Sequence, residues 1–462
     1  MLASLEPTRK TGGRIEGRTS ATLGADHASA YLSEQDSRRG AGVTRDAEMN
    51  AQTEMLAELK SRRPGHTLPR KFYTDPSFFQ LDLEAIWYRE WLFAGHDCEL
   101  PAPGAFFTLQ IGEYPIVIVR SDDGAIRAFH NTCRHRGSRI CAAAKGSVVK
   151  LVCPYHNWTY ELDGRLRYAR DMGADFDLKS HGLKPVHCES VGGYIWICLG
   201  KQAPDFSAFR AGVEPYLAPH RLTEAKVAFE STIVENGNWK LVWENNRECY
   251  HCRANHPELC KTFPEAPTVT GVVGAMHDPT IVQHWEHCEA AGLPSRFELS
   301  PDGQHRATRM PLVRDAVSYT LSGKAAVKRP LSDAVTTPKI GALLLFHYPT
   351  TWNHVLGDHA VSFRVTPIGP KQTQVTTKWL VHKDAVEGVD YSRDELTRVW
   401  LATNDQDRRI VEENQIGVSS PVFEPGPYAP THEGGVMQFV EWYASFIERS
   451  LGGDAVKLRS VA

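Results

Sequence analysis

The sequence predicts an α+β chain: a small all-β domain followed by a larger domain in which an antiparallel sheet is flanked by helices. Three observations carry this. The 462 residues exceed what one ordinary core fills. From about residue 90 to 200 the apolar residues come in short strand-like runs separated by Gly-containing turns. Beyond Pro204, strand-like runs are mixed with long helical ones, as in a sheet with helices laid across it. Domains are therefore expected at 90–204 and 205–462, with helices over 49–89 packing on the larger one.

Residues 1–48 are rich in Arg, Gly, Ser, Thr and Ala without apolar periodicity and read as a disordered extension, with Met49 or Met55 a candidate translation start. Residues 49–62 have helical character, stopped by Pro64-Gly65, and Leu81 to Trp91 form a second amphipathic helix. Phe106–Ile111, Pro115–Arg120 and Ala125–Asn131 are predicted strands, the last two joined by a hairpin turn at Asp122-Asp123-Gly124. Trp158–Leu162 and Leu166–Ala169 repeat the pattern around Asp163-Gly164. In the larger domain Val227–Val234, Leu343–Tyr348, Ala360–Val365 and Gln374–Val381 are predicted strands, and 239–254 and 393–416 predicted helices.

A formal net charge of -3 gives no general electrostatic case for nucleic acid or an anionic membrane, and no run approaches the ~20 apolar residues of a membrane helix. Ten cysteines are too sparse for a disulfide scaffold, so a reducing cytoplasm is expected. Cys249-x-x-Cys252 lacks a matching partner pair, which argues against a second metal or redox site. No GxGxxG fingerprint occurs, so the chain is expected to take reducing equivalents from another protein.

Cys133-x-His135 and, after seventeen intervening residues, Cys153-x-x-His156 place two thiolates and two imidazoles in paired loops at strand ends. That set suits a Rieske [2Fe-2S] cluster, in which cysteines hold one iron and histidines the other. Structural zinc also takes Cys₂His₂, but zinc fingers group like with like, whereas here each pair mixes one of each.

A second constellation lies in 238–257. On a helix Glu244, Glu248 and His251 share one face, while Pro257 disfavours helix at His256 and lets that imidazole turn back. Two histidines plus one carboxylate make the facial triad of mononuclear non-haem iron. Trp400, Thr403, Asn404, Asp407 and Val411 recur at helical spacing on an unusually polar face, making Asp407 the candidate carboxylate. A solvated charged helix with Asp407 merely capping or pairing is the plainer alternative.

Cys133-Arg-His-Arg-Gly137, Cys153-Pro-Tyr-His156, Trp158-Thr-Tyr160 and Glu244-Asn245 through His256 together resemble the oxygenase α-subunits of Rieske non-haem iron oxygenases. Glu244-Asn-Asn-Arg-Glu-Cys-Tyr-His-Cys252 and Ala402-Thr-Asn-Asp-Gln-Asp-Arg-Arg409 are similar to the subgroup acting on quaternary amines. The resemblance covers about 50–450. It implies a helix-grip catalytic fold, a [2Fe-2S] Rieske cluster on Cys133, His135, Cys153 and His156, and mononuclear Fe(II) on His251, His256 and Asp407. It also implies that Glu248 bridges a cluster histidine and an iron histidine across a subunit boundary of a homotrimer. Electrons would come from a separate flavin or ferredoxin-type NAD(P)H reductase. With O₂, an N-methyl group of a betaine would be hydroxylated, glycine betaine going to dimethylglycine and formaldehyde. Proline betaine, carnitine or choline are alternative substrates, and aromatic-ring hydroxylation a further one. One departure is Asn157, where many members of the family have glycine.

A trimethylammonium is best held by aromatic faces, with a polar or cationic partner for its carboxylate. Tyr348 and Trp352, with His354 or His359, are the candidates, although aromatics in a strand usually belong to the core. An electron carrier without an oxygenase site is the reading from another class, and it would have no use for His251, His256 and Asp407.

Overall fold

A computed structural model of the chain describes residues 45–264 and 277–452. The expected extension lies outside the described residues except at its end, where helix α1 already begins (Arg45–Ser61). The second expected helix sits earlier than its apolar spacing suggested. Helix α2 (Pro76–Asp82) starts where Asp75 accepts from the Ser77 amide at 2.8 Å, with proline in the first turn. It widens into a π turn over Leu83–Trp87 and ends before Trp91.

These N-terminal helices are fastened by buried polar bonds. Asp82, fully buried, forms an ion pair with the equally buried Lys240 and accepts from Tyr443 Oη at 2.6 Å and Trp239 Nε1 at 3.1 Å. Lys240 also lies over the rings of Trp239 and Tyr443. Removing one partner strands a charge in a dry site, so Asp82→Ala is expected to lower unfolding stability by about 3–5 kcal/mol in denaturant titration.

The small domain is built on a seven-stranded antiparallel sheet. Its strands are β1 (Leu92–His96), β2 (Ala105–Ile111), β3 (Tyr114–Arg120), β4 (Ile126–His130), β5 (Lys145–Ser147), β9 (Pro185–Val191) and β10 (Tyr194–Cys198), in the order β1-β10-β9-β4-β3-β2-β5. A three-stranded sheet, β6 (Leu151–Val152), β7 (Thr159–Tyr160) and β8 (Leu166–Tyr168), carries the second metal-type loop. Its turn needs glycine: Gly164 has φ +87°, and a Cβ there would meet the Phe129 ring at 2.4 Å.

The larger domain holds a second seven-stranded antiparallel sheet, ordered β11-β17-β16-β15-β14-β13-β12. The strands are β11 (Ala225–Glu235), β12 (Glu298–Leu299), β13 (His305–Met310), β14 (Ala342–His347), β15 (Thr351–Val355), β16 (Ala360–Gly369) and β17 (Gln372–His382). Alternation along these strands sorts their side chains onto two faces. Leu344, Phe346, Val361, Phe363 and Trp379 belong to the main core. Leu343, Leu345, Val355, Ala360 and Leu380 pack with Trp91, Phe93, Tyr194 and Trp196 of the small domain. Polar bonds stitch the same seam, including His96 Nε2 to Ser362 Oγ at 2.8 Å and Arg364 Nη1 to Ala94 O at 2.6 Å.

The sequence reading found β11, β14, β16 and β17 but not β12, β13 or β15. It also missed helices α3 (Ser207–Leu217), α6 (Pro279–Ala290) and α8 (Gly434–Gly452). Between these lie α4 (Trp239–Asn246), α5 (Cys252–Asn255) and α7 (Arg393–Val418), which supply the site.

Candidate metal centres and substrate pocket

In the small domain the loops after β4 and β6 bring Cys133, His135, Cys153 and His156 together. The cysteines are buried at 3% and 1% exposure, while the imidazoles lie at the surface with their Nδ1 atoms 3.2 Å apart. His135 stacks on Trp158 at 4.8 Å, and His156 stacks on Tyr155. Tyr160 Oη lies 3.3 Å from Cys133 Sγ and accepts the Arg134 amide at 3.0 Å. Sulfurs inside and imidazoles outside fit a cluster with one all-sulfur end and one histidine end that faces a redox partner. Asn157, the departure from glycine, adopts φ +57°, a left-handed conformation that asparagine tolerates better than most side chains.

The second constellation assembles differently from the helix the sequence suggested. Helix α4 stops at Asn246, and the chain turns through Arg247–Tyr250 before α5 resumes at Cys252. Glu248 holds that turn: its carboxylate accepts from the amides of Tyr250 and of His251 (3.2 Å), and it bonds His251 Nδ1. The nearness of Glu248 to His251 thus comes from a side-chain-to-backbone turn rather than from a shared helix face. Glu244, predicted to share that face, instead bonds Tyr73 at 2.7 Å and Tyr428 at 3.3 Å. Burial pushes its carboxyl up to about 7.

His251, His256 and Asp407 converge. His256 Nε2 lies 3.0 Å from both His251 Nε2 and Asp407 Oδ1, and His251 Nε2 is 3.4 Å from that same oxygen. Ligands at ~2.1 Å on adjacent vertices of a six-coordinate ion stand about 3 Å apart, so three mutually close donors fit one metal. The outer nitrogens fix the tautomers: His251 Nδ1 is held by Glu248, and His256 Nδ1 donates to Gln406 Oε1 at 2.8 Å. Asp407 Oδ1 is buried and accepts no well-aligned hydrogen bond among the described residues. Burial alone would lower His251, but the neighbouring Asp407 and Glu248 carboxylates outweigh it and lift the imidazole to about 9. The same contacts overcome burial at Asp407 and hold its carboxyl low.

Gln406 was missed by the sequence reading, although its place beside Asp407 was the available signal. Its amide also donates to Glu258 Oε2 at 2.9 Å. Cys252 lies among the donors too, but is joined to Cys249 by a disulfide. The missing partner pair is therefore no argument against a redox pair, since the two cysteines partner each other.

A cavity opens onto these donors. It is walled by Phe263, Phe346, Trp352, His354 and Trp400 and also lined by Arg247 and Arg306. Of the four pocket candidates, Trp352 and His354 line it. Tyr348 and His359 do not. Tyr348 is fully buried against Trp243, Phe439 and Trp442, with its hydroxyl on Gln438 at 2.8 Å. His359 is buried beyond the end of β15 and bonds Asp358 at 3.0 Å. Burial lowers His354 to about 3, so this imidazole is neutral; its Nδ1 shares a 2.9 Å hydrogen bond with Tyr319 Oη.

A cluster-bearing β domain and a helix-covered sheet with a two-histidine, one-carboxylate centre define an oxygenase α-subunit of the Rieske non-haem iron type. Residues 90–184 match the Rieske [2Fe-2S] domain, and 222–449 match the ring hydroxylating alpha subunit catalytic domain. Over 408 residues the chain is 50% identical to the glycine betaine monooxygenase oxygenase subunit of Chromohalobacter salexigens, covering 87% of this chain and 91% of that one. It is 48% identical over 413 residues to the subunit of the same description in Pseudomonas aeruginosa, covering 87% and 94%. A solved quaternary ammonium Rieske monooxygenase superposes with TM-score 0.66 at 20% identity, covering 85% of this chain and 98% of that one. The chain belongs to the Rieske-type ring-hydroxylating oxygenase α-subunits, which carry a [2Fe-2S] cluster and mononuclear iron. No described helix is long and apolar enough to cross a membrane.

Proposed function

We propose that the chain is the oxygenase component that removes a methyl group from glycine betaine, yielding dimethylglycine and formaldehyde. The observation that carries this is the 50% identity, across 87% of the chain, to a glycine betaine monooxygenase oxygenase subunit. In this reading Cys133, His135, Cys153 and His156 hold the cluster, and His251, His256 and Asp407 hold the iron. When bound, the cluster passes single electrons and the iron activates O₂ for insertion into a C–H bond. The chain's own residues position these events. Glu248 and Gln406 orient the two imidazoles so that both Nε2 atoms converge on Asp407 Oδ1, and Trp352, Phe263 and Trp400, which line the cavity, offer aromatic faces to a quaternary ammonium. Hydroxylation of an N-methyl group gives a hemiaminal, which releases formaldehyde on losing the C–N bond.

The assembly is a cytoplasmic homotrimer fed by a separate flavin or ferredoxin-type NAD(P)H reductase. His156 and Glu248 are both partly exposed, as an electron path from one protomer to the next requires. The test is anaerobic purification, a surrogate reductase, and formaldehyde release across glycine betaine, proline betaine, carnitine and choline. Release from glycine betaine ahead of the others is expected; no release from any betaine would overturn the substrate assignment.

A further inference from the structure

Strand β13 is buried at all six positions although it reads His-Arg-Ala-Thr-Arg-Met. Arg306 is 4% exposed, lines the cavity shared with His251, His256 and Asp407, and makes no ion pair among the described residues. Its Nε and Nη1 are buried without a hydrogen-bond partner there. The guanidinium lies 5.4 Å over Phe297 and 5.1 Å over Phe346. Arg247, 6% exposed, lies 4.1 Å over that same Phe346 ring, and its Nε is also unpartnered.

Two buried cations flanking one ring with no counter-charge among the described residues is a costly arrangement unless a ligand supplies the anion. Burial first, and then Arg247, lowers Arg306 to about 9, which leaves it protonated at neutral pH. The carboxylates among the described lining residues, Glu248 and Asp407, are engaged with the histidines. His354 is neutral and His359 lies outside the cavity, so neither of the imidazoles expected from the sequence provides the positive charge.

We propose that Arg306, with Arg247 beside it, seats the carboxylate of the substrate and so selects zwitterionic over simple quaternary amines. This rests on the reading that the substrate is a betaine. Register supports the geometry: Arg306, Phe346 and Trp352 are direct partners on β13, β14 and β15, and they share the face toward the cavity. Strands stand ~4.8 Å apart. A cation seat at Trp352 and an anion seat at Arg306 therefore bracket a short zwitterion. The Phe346 ring between them is already engaged by guanidinium.

The test compares the wild-type holoenzyme with Arg306→Gln and Arg306→Lys. Loss of a buried charged hydrogen bond corresponds to about 10- to 100-fold in affinity. Arg306→Gln is expected to raise KM for glycine betaine by that factor while calorimetric binding of tetramethylammonium, which has no carboxylate, stays near the wild-type value. Arg306→Lys recovers part of the loss. Ligand-free Arg306→Gln melts at or above the wild-type temperature, since an unpaired buried charge has been removed. Equal weakening toward both ligands would make Arg306 a packing residue and overturn the proposal. So would an unchanged KM for glycine betaine in Arg306→Gln, given a wild type that releases formaldehyde from it. A wild type that releases none from any carboxylate-bearing amine overturns both this seat and the substrate reading beneath it.

Discussion

Replacing Glu248 with glutamine is expected to leave both metal centres loaded yet slow turnover by about 10- to 100-fold, the usual cost of altering a residue that orients a metal ligand. The carboxylate accepts on both sides, from the Tyr250 and His251 amides and from His251 Nδ1. Glutamine keeps one acceptor and turns the other into a donor, which must face either a backbone N–H or the imidazole N–H. It also removes the negative charge beside His251. Metal analysis should match the wild type, while single-turnover reoxidation of the cluster, followed by stopped-flow absorbance, should slow. A normal rate would remove Glu248 from the electron path.

The second large effect is expected at Asp407. Asp407→Ala deletes the carboxylate that stands 3.0 and 3.4 Å from the two imidazoles. Two neutral histidines alone hold a divalent ion weakly, so the variant should lose the mononuclear iron, keep both cluster irons and the cluster's visible spectrum, and release no formaldehyde. Iron quantitation against the unaltered cluster absorbance separates this from misfolding. Full mononuclear iron occupancy in the variant would show that another group, such as Cys252 freed from its disulfide, completes the site.

The metal-type donors were legible because short spacings tie them to local loops. Cys133 and His135, or Cys153 and His156, cannot be separated by any tertiary rearrangement, and Asp407 stood on a helical face whose period the structure keeps. The helix through residue 254 was a misreading of the same kind of information. Glu248 caps the turn that breaks the helix, so its spacing to His251 survives while Glu244 swings away to Tyr73 and Tyr428.

The pocket was less legible because its determinants are long-range. Strand β13 looks like a polar loop by composition, and its burial depends on β14 alongside and on aromatic rings covering Arg306. Tyr348 and His359 sat in the right aromatic stretch. The ends of β14, at His347, and of β15 nevertheless put one in the core beside Trp243 and the other next to Asp358. The Cys249–Cys252 bond was equally hidden, since a CxxC pair alone does not say whether its sulfurs face each other.

The most direct test of the account is the stoichiometry of a reductase-coupled reaction with glycine betaine, measuring dimethylglycine, formaldehyde and O₂ consumed in the same sample. Equimolar amounts of all three are predicted. Oxygen consumption that glycine betaine stimulates without matching dimethylglycine and formaldehyde would contradict it.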